Sequence, residues 1–228
     1  MKVINKKEAN KIYPKRRGYY YFDTEDGEKQ YPSITSILKV LDKPGLMYWA
    51  VKEVSNIALD DPSLSVEEVG SKFRSILTDA GTRGKGVHNF FHRILLGEDV
   101  IDYLEQYKDY IEPIKQFKKD YTIEPLWNEK IVKSDLYKIA GTTDEGTIIN
   151  GRRALLDLKT SKYVYPENGL QLGFYQQALK EEGEFFEDIY VLHVPGDGTY
   201  SLVQVKGNME IVIALKKVWE WVNKKNEG

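Results

Sequence analysis

The order of apolar patterns predicts an α/β protein. Its central β-sheet is mixed, carries helices on both faces, and is preceded by a helical segment. Two observations carry this. Asn150-Gly151 stands between the β-prone runs Ile148-Ile149 and Ala154-Leu155-Leu156, and both turn residues tolerate the positive φ of a type I′ hairpin. Around that hairpin the patterns run helix, helix, strands, helix, strands, helix, the alternation that builds a covered sheet rather than a bundle or a sandwich.

The chain has 228 residues, 41% of them hydrophobic, a length and composition suited to one domain with a sizeable core. There is no cysteine, which excludes disulfides and a cysteine-held iron–sulfur cluster. No run of about 18 apolar residues suggests a membrane span. The start, M-K-V-I-N-K-K-E, lacks the apolar stretch of a signal peptide and the acid-free look of a transit peptide. An intracellular, cytoplasmic protein of bacterial, archaeal or viral style is therefore expected. The net charge of −2 means that any nucleic-acid contact must come from local patches.

Taken in order, residues 1–60 read as a basic arm, a small hairpin and a helical clamp. Lys6, Lys7, Lys11, Lys15, Arg16 and Arg17 supply the arm. Residues 19–22 and 29–31 flank Asp26-Gly27 as hairpin strands. Ser33 is a good N-cap for a helix over 33–41, Pro44-Gly45 breaks it, and another helix carries Tyr48 and Trp49. Trp49 is a candidate platform for a stacked base, against the plainer reading that it is core. The remaining chain, 66–228, forms the main body. A long helical pattern starts near Val66. Gly81, Gly84 and Gly86 are expected to interrupt it where another backbone or a substrate approaches. His88 and His92 share a helix face at i, i+4. The zinc-protease motif needs glutamate after the first histidine, and Asn89 stands there. His92 is expected to be structural. A further helix is predicted over 102–121.

Residues 124–133 and 136–149 alternate as a strand pair, which with a turn at Ser134-Asp135 sets Glu129 opposite Ala140. The Asn150-Gly151 hairpin follows. With a two-residue loop Ile149 faces Arg152, Asp144 faces Asp157 and Thr142 faces Lys159. Side chains alternate along a strand, so Asp157 and Lys159 share a face. Ile148 and Leu155 share that face. Thr147, Ile149, Ala154, Leu156 and Leu158 line the other, so both faces read as buried. Directly opposed like charges are destabilising, and a divalent cation, which prefers carboxylate oxygens, would offset them. Residues 166–169 read as a loop before a helix over 170–182, with Gln171 and Tyr175 on one face. Strands over 189–194 and 200–205 and a last helix over 210–223 complete the chain, and the tail 224–228 is expected to fray.

These residues also carry a family resemblance. Gly141-Thr142-Thr143-Asp144, then Asp157-Leu158-Lys159-Thr160-Ser161, then Gln171 and Tyr175, resemble motifs of the PD-(D/E)XK nucleases. The likeness is to their RecB-type branch, near the mitochondrial genome-maintenance exonuclease and phage exonucleases. Gly84-Lys85-Gly86-Val87-His88 resembles the branch's G-x-x-x-H helix, and the segment from Pro32 to Leu38 resembles its P-S-V-T-x-I-L segment. Thr143 departs from the pattern by replacing the name-giving proline. The resemblance implies a restriction-endonuclease-like core and hydrolysis of DNA phosphodiester bonds, with single strands or ends preferred, by an exonuclease of repair, recombination or replication. It implies one or two Mg²⁺ or Mn²⁺ ions held by Asp144, Asp157, the Leu158 carbonyl and His88, with Glu129 a further acidic candidate. Lys159 would orient water and offset charge. Gln171, Tyr175 and Thr160 would contact substrate, and Arg152, Arg153 and Lys162 its backbone. DNA is the partner implied, with replication or recombination proteins beside it. Two other classes stay open: a non-catalytic nucleic-acid-binding module that kept the fold, and a metal-dependent hydrolase of another substrate.

Overall fold

The computed structural model describes residues 2–3, 18–24, 27–41, 43–101 and 105–224. The basic arm, Asp26, the first residues of the helix predicted over 102–121 and the tail from 225 lie outside them. The architecture is mixed α/β. A five-stranded sheet has the order β10-β9-β8-β7-β4. It comprises β4 (Ile123–Asn128), β7 (Glu145–Ile149), β8 (Arg152–Lys159), β9 (Asp188–His193) and β10 (Ser201–Gln204). Strands β8 and β9 are parallel and the other neighbours antiparallel. Two small sheets stand beside it: β1 (Lys2–Val3), β2 (Tyr19–Thr24) and β3 (Gly27–Pro32), and the pair β5 (Ile131–Ser134) and β6 (Ile139–Thr142).

The hairpin register is the one the Asn150-Gly151 turn requires. Ile149 pairs with Arg152 and Glu145 with Leu156, and both turn residues have positive φ. The alternation along β8 divides the core. Leu155 packs with Leu172, Phe174 and Leu179 of α5 (Pro166–Glu181). Ala154, Leu156 and Leu158 face the opposite way, against Val87, Phe91, Ile114 and Phe117. Those come from α3 (Val66–Leu95) and α4 (Lys108–Asp120). Each face therefore buries its own apolar set, and a one-residue slip would exchange them. Helices α1 (Ile34–Ile37) and α6 (Met209–Lys224) join the α5 side through Ile34, Ile37 and Val212.

Several boundaries differ from the sequence expectation. Ser33 caps as expected, accepting from Ser36 N at 3.1 Å. The helix it starts is short and passes into a 3₁₀ turn over Leu38–Val40. The next helix, α2 (Pro44–Asp60), has Pro44 in its first turn, where a missing N–H costs nothing. Gly81, Gly84 and Gly86 do not interrupt α3, which runs unbroken for 30 residues from an N-terminal capping box of Ser65 and Glu68. Capping and packing at both ends outweigh the modest helix cost of glycine. The pattern over 102–121 resolves into a 3₁₀ turn at Glu105–Tyr107 followed by α4. Pro166 to Gly169 form the first turn of α5 rather than a loop. The segment 124–133 is two strands in two sheets, divided where Glu129 takes a positive φ of 49°. The segment 136–149 divides likewise at Thr143-Asp144, so Lys133 pairs with Ala140, and Thr142 pairs with Ile131 instead of facing Lys159.

Helix α5 reaches its depth because glycine meets glycine. A Cβ placed at Gly173 would lie 2.3 Å from Gly207 Cα. The neighbour is backbone and cannot rotate away. Gly173→Ala is expected to cost about 1–3 kcal/mol, lowering the melting temperature by roughly 2–4 °C per kcal/mol in a chain of this size. A thermal melt followed by circular dichroism checks it.

Candidate active site

The carboxylates of Asp144 and Asp157 meet where β7 and β8 end. The ladder between these strands stops at Glu145 and Leu156, so Asp144 sits on a bend just outside β7 and is not a ladder partner of Asp157. The two nevertheless converge. Leu158 N–H, beyond the last pair, donates to Asp144 Oδ2 at 3.3 Å. The bend is pinned from behind: Glu129 N–H donates to the Asp144 carbonyl at 2.8 Å and Thr143 N–H to the Lys130 carbonyl at 2.9 Å. The second bond needs an N–H at 143, which a proline there could not give.

Asp157 is 1% exposed. Its Oδ2 lies 2.5 Å from Lys159 Nζ as an ion pair, yet it is buried without a hydrogen bond of good geometry. Burial, and then the charge of Asp157, push the Asp144 carboxyl well above the usual carboxylate range. Burial alone would lower the Lys159 pKa, but Asp157 and Asp144 together outweigh it and hold the ammonium above its ordinary value. Two carboxyls therefore share one lysine, and the pocket is short of positive charge.

Helix α3 crosses over this pair. His88 Nδ1 is 3.3 Å from Asp144 Oδ2. Burial lowers its pKa against the attraction of Asp157, while a backbone hydrogen bond with Leu158 raises it. A cavity of about 520 Å³ opens here between Lys85, His88, Asn89 and His92 of α3 and Asn128, Glu129, Asp144 and Glu145 opposite. Glu129 does not face Ala140, because the left-handed turn at 129 takes it out of the ladder; it reaches the cavity rim instead.

Sequence reasoning missed the neighbour of Asp144. Glu145 is 1% exposed. Its Oε1 accepts from Asn128 Nδ2 at 2.7 Å and lies 3.1 Å from His92 Nδ1. Burial raises its pKa, opposed by Asn128 and His92. The only available signal was a charge on the apolar face of β7, two residues before Thr147 and four before Ile149.

Other expected site residues lie elsewhere. Tyr175 is 1% exposed and packs under Gly141, so it cannot itself touch a substrate. Its hydroxyl accepts from Gln171 Nε2 at 2.9 Å, and the charges of Asp157 and Asp144 reach it. Gln171 is the half-buried member of that pair. Thr160 follows β8 beneath α3, its Oγ1 3.7 Å from where a Cβ at Gly84 would stand. Lys162 is exposed in the same loop, its Nζ 5.4 Å from the Tyr163 ring centre. Arg152 and Arg153 occupy the opposite end of β8, about 16 Å and about 13 Å from Asp157 at 3.3 Å per residue. Arg152 pairs with Asp188 at 2.6 Å, and Arg153 stacks on Phe186 at 4.6 Å. Trp49 packs on Phe73 at 5.7 Å in the α2–α3 hairpin, away from the cavity lining.

Among the described residues, no group of three or more His, Asp or Glu side chains is gathered tightly enough to hold a metal by itself. The residues present still fit a hard divalent cation. Mg²⁺ commonly takes one or two carboxylates, keeps waters and uses substrate phosphate. Asp144 and Asp157 supply the carboxylates. The Leu158 carbonyl leaves the same strand edge as its N–H, toward Asp144.

No protein-family model matches the chain, and no curated protein matches it. Among solved structures it is similar to one titled "Crystal structure of SSO0001". The identity is 13% and the TM-score 0.40, covering 83% of this chain and 75% of that one. A likeness at that level carries neither fold nor chemistry across. No helix among the described residues is long and apolar enough to cross a membrane.

Proposed function

We propose that this chain is a Mg²⁺- or Mn²⁺-dependent deoxyribonuclease of the PD-(D/E)XK type, an exonuclease acting on single strands or ends. One observation carries the reading: two carboxyls, the buried Asp157 and the half-buried Asp144, converge beside Lys159 with too little positive charge around them. Buried charges persist when paired or when they coordinate metals. Asp144, Asp157 and the Leu158 carbonyl would hold the cation, with His88 against Asp144. When bound, the cation would acidify water and neutralise charge on the phosphoryl oxygens. Lys159 stays protonated between its carboxylates, so it donates a hydrogen bond to the attacking water or a phosphate oxygen and does not serve as the base. The reaction adds water to phosphorus and breaks one P–O ester bond, whose oxygen leaves with a proton. Gln171 and Lys162 would steady the strand. Contacts of this kind position a backbone without reading sequence.

The test is cleavage of 5′- and 3′-labelled single- and double-stranded DNA in Mg²⁺, Mn²⁺ and EDTA. Products in either metal that vanish in EDTA support the reading, and the ladder from each label assigns polarity. Binding without cleavage in any metal would favour a non-catalytic nucleic-acid-binding module. Neither binding nor cleavage would end the nucleic-acid reading.

A further inference from the structure

Glycine 84, His88 and His92 recur every fourth residue and so form one stripe along α3. Each meets a different part of the candidate centre. Gly84 passes over Thr160, with room for van der Waals contact and no more. His88 meets Asp144 at 3.3 Å. His92 meets Glu145 at 3.1 Å. The two carboxylates are adjacent in sequence, and on a regular strand they would point to opposite faces. They both reach α3 because only Glu145 belongs to β7. It shares the face of Thr147 and Ile149, while the bend at Asp144 turns that side chain toward the helix.

Glu145 is also an unusual residue to bury. Its Oε1 takes both Asn128 and His92, while its Oε2 is buried with no hydrogen bond. A carboxylate removed from water at that cost needs a return, and the geometry supplies one. We propose that Glu145 and His92 are positioning residues. They form a second carboxylate–histidine pair, one helical turn beyond the first, that sets how closely α3 brings His88 to Asp144. Asn128 holds the Glu145 carboxylate in place from β4. The pair leaves the reacting atoms to Asp144, Asp157 and Lys159 and fixes the helix above them. The inference rests on the nuclease reading only for what is being positioned.

The test compares His92→Ala with His92→Asn in the full chain. Asparagine can place its amide nitrogen where histidine carries Nδ1, so it can keep the contact with Glu145 and lose the ring. Long-range ¹H–¹⁵N NMR of the histidine rings, on metal-free protein at one fixed pH, reads the His88 environment directly. The His88 signals are assigned by their loss in His88→Gln. His92→Ala is expected to shift them and His92→Asn to leave them near their wild-type positions. Calorimetric titration with Mn²⁺ is expected to show affinity about 10-fold weaker in His92→Ala, the lower end of the usual range for residues that orient metal ligands. Affinity should be close to wild type in His92→Asn. Cleavage by His92→Ala should recover at saturating Mn²⁺. Unmoved His88 signals in a folded His92→Ala protein would overturn the proposal. So would His92→Asn behaving like His92→Ala, since that would give the ring itself a chemical role. Should His92→Ala fail to fold, Glu145→Leu, which removes the acceptor at similar volume, carries the same readings, with shifted His88 signals expected and unmoved ones contrary. If wild type cleaves nothing, the nuclease reading fails, and the NMR comparison still decides the clamp.

Discussion

Asp157→Asn is expected to lower metal-dependent cleavage of single-stranded DNA by at least about 10²–10³-fold, the loss typical of removing one group that stabilises transition-state charge. Asparagine keeps the shape of the buried side chain, so the fold should survive, and circular dichroism and a thermal melt would verify that. The effect is large because Asp157 serves two neighbours. In the proposed reading it is a carboxylate for the cation, and it is the first partner of Lys159, whose ammonium lies 2.5 Å away. Without that charge Lys159 loses the attraction that holds its pKa up against burial, and the site loses an oxygen ligand together with an ordered cation. Initial rates at saturating Mg²⁺ or Mn²⁺ give the measurement. Cleavage by the variant within about tenfold of wild type would remove Asp157 from the centre, since that corresponds to only about 1.4 kcal/mol of barrier.

Asp144→Asn is expected to stabilise the metal-free protein at neutral pH while abolishing activity. The sign follows from the direction of the shift. Burial raises the Asp144 carboxyl well above its ordinary value. Between that ordinary value and the raised one, the folded chain binds more protons than the unfolded chain, so stability falls as pH rises through the window. Above the raised value the cost of the buried charge is felt in full. Asparagine removes it. In EDTA at pH 7.5 the variant should be more stable by about 1 kcal/mol, the low end of the usual desolvation cost, because Asp144 is half-buried and keeps the Leu158 N–H; that corresponds to roughly 2–4 °C in melting temperature. The advantage should shrink on acidification, as the wild-type carboxyl takes up its proton. His88 contributes with the opposite sign. Its pKa is lowered, so stability is lost as pH falls through the ordinary histidine range. His88 touches Asp144, so the comparison is made at pH 7.5, above that range, where the histidine contribution does not enter. Adding Mg²⁺ should reverse the order, because a ligand that binds only the folded state raises its stability and the variant lacks one carboxylate to bind it. A variant less stable than wild type at pH 7.5 in EDTA would contradict the buried charge itself.

Much of this was legible from residue order, and the reason lies in local chemistry. Asn150-Gly151 admits one tight turn, and that turn determined the register from Ile149–Arg152 to Glu145–Leu156. The two-residue period of β8 then assigned Leu155 to one core and Leu156 to the other. It also placed Asp157 and Lys159 together, and the pairing Lys159–Asp157 needed nothing beyond it. Ser33 announced its helix because a cap is satisfied within a few residues.

Tertiary structure decided what depends on contacts distant in the chain. Whether residues 124–149 form one hairpin or two half-strands in separate sheets turned on a left-handed residue at 129 and a bend at 144. Alternation alone is blind to both, because it is the same on either side of a break. Glycines in α3 read as interruptions, yet the helix continues over them, since its N-terminus is capped and its C-terminal turns are packed. Above all, His92 and Glu145 are 53 positions apart. Each looks ordinary in its own segment, a histidine on a helix and an acid beside Asp144. Only the packing of α3 on β7 makes them a pair, because burial deprives the carboxylate of water and leaves the histidine as one of its few partners.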